Sequence, residues 1–142
     1  MRAVLFAACF LAACANVQAP TPEARLPPHI REDLAQREAA LREPGTVAVG
    51  IGETADLGGG LRVRPLEVVE DSRCPQDARC VWAGRLRVRV AVENVGDIEV
   101  TDDSAVVMTP AGGFALVAVL PGPWTNWPQV QRPQYRFGFR RD

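Results

Sequence analysis

Few groups in this chain can do covalent or acid–base chemistry. Its 142 residues include four Cys and one His, and all 16 basic residues are Arg. Without Lys there is no Schiff-base chemistry and no P-loop lysine. With His29 as the only imidazole, a three-His metal site and a Ser-His-Asp triad are set aside. Glu67, Glu70, Asp71 and Asp77 are close in sequence, but no pairing across a cleft is legible, so a carboxylate-only hydrolase ranks last among the readings. Gly58-Gly59-Gly60 has no helix after it and is read as a hairpin connection, not a phosphate loop. No motif asks for a cofactor or a metal. The net charge is −1, which gives no ground for a nucleic-acid partner.

The thiols are best read from the N-terminus. Met1-Arg2 precedes the short apolar run Ala3–Phe10, and Leu11-Ala12-Ala13-Cys14 follows. A positive residue, a short apolar stretch and small residues make a secretory signal peptide. The run falls short of the roughly 20 apolar residues that span a bilayer. Leu-Ala-Ala-Cys resembles the lipobox of bacterial lipoproteins at all four positions. That resemblance implies cleavage before Cys14, a diacylglyceryl group on its sulfur and acylation of the new amine. It makes the membrane a partner, through lipid on Cys14. Ala15, by analogy with Gram-negative sorting, points to the periplasmic face of the outer membrane. The alternative is ordinary cleavage after Ala19, where Val17-Gln18-Ala19 fits loosely.

With Cys9 leaving in the signal and Cys14 lipidated, Cys74 and Cys80 remain in an exported chain, where disulfides persist. A bridge across C-x5-C contributes about 2 kcal/mol by loop-closure entropy. A two-thiolate metal site lacks the C-x-x-C spacing and a nearby His; free thiols are the other alternative.

Several elements must position these groups. Residues 15–29 carry Pro20, Pro22, Pro27 and Pro28 and read as an extended tether, with His29 solvated at its end. Residues 30–42 read as a short helix, with Asp33–Arg37 and Glu38–Arg42 as i,i+4 pairs and Ile30, Leu34 and Leu41 as a thin apolar stripe. Such a helix either packs on the domain or belongs to the spacer. From residue 46 the period becomes two. Val47, Val49 and Ile51 alternate with small or polar residues, as do Leu86, Val88, Val90 and Val92 with Arg87, Arg89 and Ala91. Phe114–Leu120 is continuously apolar, and Tyr135, Phe137 and Phe139 alternate near the end. Pro65 marks a bulge or an edge, and Asp102-Asp103 a turn. About seven short strands predict an all-β antiparallel sandwich. The expected order is a signal over 1–13, lipid attachment and tether over 14–29, a helical spacer over 30–45 and the sandwich over 46–142.

The most distinctive stretch runs from Asp71 to Gly84. Its cysteines would staple a long crossover between strands ending near Glu70 and starting near Val81, and Trp82, sharing strand parity with Cys80, would cover the bridge. Asp71, Ser72, Arg73, Cys74, Pro75, Cys80, Trp82, Ala83 and Gly84 match D-S-R-C-P-x4-C-x-W-A-G, and the stretch resembles a family of small bacterial exported proteins that carry this motif between two strands. A Pro-aromatic-Pro segment and a late Tyr strand belong to the same pattern, met here by Pro121-Gly122-Pro123-Trp124 and Tyr135, with Gly122 in place of the aromatic residue. The resemblance spans about residues 46–141. It implies a β domain with a disulfide and supplies no catalytic residue.

Three features could bind a partner. Arg62, Arg64, Arg85, Arg87 and Arg89, with Arg136 and Arg140, would form a basic stripe for envelope glycans or phosphates if their strands are neighbours; otherwise Glu67, Glu93 and Glu99 neutralise the face. Trp124 and Trp127 in a Pro-stiffened loop would stack on sugars or meet a protein, or else plug the open end of the sandwich. The Cys74–Cys80 loop, with Arg79, would enter a protease cleft as an inhibitor does. The leading expectation is a lipid-anchored envelope protein with a non-enzymatic binding or structural role, ahead of an inhibitor and an enzyme.

Overall fold

The computed structural model describes residues 26–125 and 134–142. The signal, Cys14, most of the tether and Trp127 lie outside the described residues. The elements are α1 (Pro28–Leu41), β1 (Thr46–Gly50), β2 (Ala55–Asp56), β3 (Arg62–Asp71), β4 (Leu86–Val92), β5 (Gly96–Thr101), β6 (Val107–Thr109), β7 (Gly112–Leu120) and β8 (Arg136–Arg141). They form two antiparallel four-stranded sheets, β1-β8-β7-β6 and β2-β3-β4-β5. The expected all-β sandwich with a preceding helix is what the chain forms. The eighth strand is β2, whose two residues are too few to show a period.

The core follows from alternation. Leu86, Val88, Val90 and Val92 of β4 are buried and meet Phe114, Phe137 and Phe139 of the opposite sheet. Pro65 sits at a register shift in β3, as its missing donor requires. The apolar run of β7 is continuous because both its faces are covered. A register shift between Leu116 and Ala118 turns Leu116 and Val119 toward the sandwich core and Ala118 and Leu120 toward α1.

Helix α1 packs on that outer face through Ile30, Leu34 and Leu41, and Leu26, just before the helix, joins the same cluster. Of the two expectations for this helix, packing on the domain is the one realised. It also starts earlier than the periodicity predicts. Pro28 takes the first helical position, where the absent N–H is no loss and the fixed φ suits the helix. His29 therefore belongs to the first turn of α1 and not to the tether. It is exposed, and its ring lies 5.0 Å from that of Trp124.

Candidate functional site: the stapled-loop end of the sandwich

Residues 72–85 join β3 to β4. Those strands are antiparallel neighbours, so this segment is a hairpin connection and the expected crossover is corrected. Pairing continues beyond the strands: Ser72 N donates to Arg85 O at 2.9 Å and Cys74 N to Ala83 O at 2.7 Å. Gly84 makes this close approach feasible. Its φ is +65°, and a Cβ there would fall 1.7 Å from Ser72 O. Cys74 and Cys80 are disulfide-bonded, with Cα atoms 5.9 Å apart, as the exported-chain argument expects.

Asp71 and Arg73 of the motif hold the two sheets together at this end. Arg73 donates twice to Asp71, at 2.8 Å each, and again to Pro121 O at 3.0 Å. Tyr135 Oη donates to Asp71 Oδ2 at 2.6 Å. Burial pushes the Asp71 carboxyl up, but the Arg73 and Tyr135 donors outweigh it and hold Asp71 below the usual range.

A second carboxylate gathers three elements. Asp33 is 9% exposed. It accepts from Arg37 Nε at 3.0 and 2.9 Å, from Gln76 Nε2 at 2.9 Å and from Trp124 Nε1 at 2.9 Å. Burial again pushes the carboxyl up, and these donors together with the Arg37 charge bring it below the ordinary value. The stapled loop is pinned further where Gln76 N donates to Pro123 O at 2.8 Å and Thr125 donates to Asp77 through N and Oγ1.

Both depressed carboxylates make stability depend on pH in one direction. The unfolded carboxyls titrate near about 3.9, higher than the folded ones, so the unfolded chain binds more protons as pH falls. Their contribution is complete above that range and is lost as pH drops through the folded values. Urea midpoints should therefore fall as pH is lowered from about 5 to about 3, and Asp33→Asn should flatten that slope.

The tip of the loop departs from expectation. Trp82 does not cover the disulfide. It is 81% exposed, and Val81 beside it 89%. The expected strand start near Val81 is not met, since β4 begins only at Leu86. Arg79 and Arg85, also exposed, flank the two apolar side chains in sequence.

The arginine face is also corrected. Arg136 and Arg140 stand on β8, in the other sheet, so no single stripe forms. Arg87 pairs with Glu70 at 2.8 Å and Glu99 at 3.3 Å, Arg89 pairs with Glu67, and Arg62 bridges Asp56 and Glu93. The neutralised face is thus the alternative realised at these three residues. Arg85 precedes β4, and Arg64 lines a shallow depression with Thr54 and Glu93. Trp124 is half-buried, packs against the α1 cluster on the outer face of β7 and donates its N–H to Asp33, so it is neither a free stacking platform nor a plug in the end of the sandwich. The grouped carboxylates are separated by their partners: Glu70 takes Ser72 and Arg87, Asp71 takes Arg73, and Asp77 takes Thr125. Among the described residues there is no group of three His, Cys, Asp or Glu able to hold a metal ion, and no helix long and apolar enough to cross a membrane.

What the sequence signalled least is the Asp33 hub. Asp33 was legible only as the i,i+4 partner of Arg37, because Gln76 and Trp124 reach it from 43 and 91 positions away. No protein-family model, curated protein or solved structure matches this chain.

Proposed function

We propose that the chain is a lipid-anchored, non-enzymatic module of the cell envelope that presents the Val81–Trp82 tip of its stapled loop to a partner. The anchor part of the reading is supported by the signal and the Leu-Ala-Ala-Cys sequence. The binding part is carried by one observation: two apolar side chains stand 89% and 81% exposed on a loop that is otherwise fixed by a disulfide and by hydrogen bonds to α1 and the Pro121–Thr125 segment. An ordinary surface loop gains nothing from displaying Trp, whereas a fixed aromatic anchor binds with little loss of conformational entropy. The neutralised arginine face gives an anionic glycan little to hold. The residues inside the disulfide form a turn in which Ala78 N donates to Pro75 O, unlike the extended segment that a protease cleft grips.

The test is a photo-crosslinking amino acid at position 82, with position 108 as the control, in the native envelope. Met108 is 74% exposed on β6, away from the stapled loop. Adducts at 82 and not at 108 are expected. Equal yields at the two positions, or none at either, would remove the tip from consideration.

A further inference from the structure

We infer that the surface met by the Val81–Trp82 tip is the lipid–water interface of the membrane that anchors the chain; this rests on the lipid-anchored reading above. Three observations converge on it. The first is where the chain enters the fold. Leu26 lies one helical turn before Ile30 and is buried in the same cluster. The His29 ring contacts Trp124, and Trp124 and Gln76 share Asp33, so the tether leaves the domain at the stapled-loop end.

The second is length. Residues 15–25 lie between Cys14 and the first described residue, and in polyproline geometry they reach at most about 35 Å. An acylated Cys14 would therefore keep the stapled-loop end, where the tether joins the domain, within that reach of the lipid.

The third is chemistry. Trp is the side chain most at home between headgroups and acyl chains, with an apolar ring and one N–H to satisfy. Val81 adds apolar area beside it. Arg79 and Arg85 can lay their stems along the acyl boundary and offer guanidinium groups to phosphates. Two nearby carboxylates, which would be repelled by anionic headgroups, are paired with arginines: Asp71 with Arg73 and Glu70 with Arg87. Since acyl chains already retain the protein, the tip serves to orient the domain. The rigid loop fixes which end of the sandwich faces the bilayer and which surfaces face the aqueous compartment.

The experiment separates this inference from the anchor itself. The mature chain with Cys14→Ser is held on vesicles of phosphatidylethanolamine and phosphatidylglycerol through an N-terminal His tag and a nickel-chelating lipid. It reads the tip whether or not Cys14 is acylated in the cell. A photo-crosslinker at position 82 should give phospholipid adducts about tenfold above those from position 108, the ratio expected when one large apolar side chain is buried. In the same tethered chain, Val81→Ser with Arg79→Gln should lower the yield at 82. Equal phospholipid yields at 82 and 108 would overturn the inference. Adducts at 82 to a protein in native envelopes, with none to phospholipid on vesicles, would also overturn it while leaving the presented tip intact.

Discussion

Asp33→Ala should lower the stability of the domain by about 3 kcal/mol, because one substitution strands several part-buried donors at once. Arg37 would keep Val119 O as a partner but lose its neutralising charge, and Gln76 Nε2 and Trp124 Nε1 would lose their acceptor in a site that is 9% exposed. An exposed i,i+4 pair such as Glu38–Arg42 is worth only about 0.5 kcal/mol, so the size of the effect distinguishes a hub from a surface pair. Urea denaturation of the two proteins measures it. Limited proteolysis should cut the variant first between residues 72 and 85, since Gln76 is one of that segment's ties to α1. A loss below about 1 kcal/mol would show that α1, the stapled loop and the Pro121–Thr125 segment do not depend on this carboxylate.

Gly122→Phe should cost a similar amount, about 3 kcal/mol, by overpacking rather than by loss of a bond. The sequence-based expectation is an aromatic residue between Pro121 and Pro123, where this chain has Gly122. Here a Cβ at 122 would lie 2.1 Å from Asp33 Oδ2 and 2.7 Å from Arg37 Nε. Any side chain must displace the Asp33 carboxylate and the Arg37 guanidinium or lift the Pro121–Thr125 segment off α1, and either shift disrupts the Trp124–Asp33 bond. The two substitutions strike the same contact, so their costs should not add. The double variant should be only slightly less stable than either single one, with a coupling of about 2 kcal/mol in the cycle. Thermal unfolding of the four proteins reads this directly, and simple additivity would mean that Gly122 and Asp33 act independently.

Local signals made the β4 strand, the i,i+4 pairs of α1 and the bulge at Pro65 legible in the sequence, because each depends on neighbours a few positions away; the Cys74–Cys80 bridge was legible only by elimination of Cys9 and Cys14. The run Phe114–Leu120 was legible as continuously apolar, and only the structure shows that both its faces are covered, one by the opposite sheet and one by α1. Three features stayed hidden, and for one reason. The hairpin nature of residues 72–85, the Asp71–Arg73–Tyr135 tie and the Asp33 hub are set by which distant segments meet, and polar contacts leave no periodicity. Strand parity failed at Trp82 because it assumed that pairing along β4 reached back to the cysteine. At Pro28 a helix-starting position was read as tether, because Pro serves both.

The central proposal is a domain held at the envelope by lipid on Cys14 and stapled at the end that faces it. The most direct measurement is the intact mass of the full chain extracted in detergent from its own envelope. The expected spectrum shows a chain beginning at Cys14, heavier by a diacylglyceryl group and an amide-linked acyl chain, and lighter by the two hydrogens of the Cys74–Cys80 bond. An unmodified chain cut after Ala19 would contradict the anchor, and two free thiols would contradict the compartment.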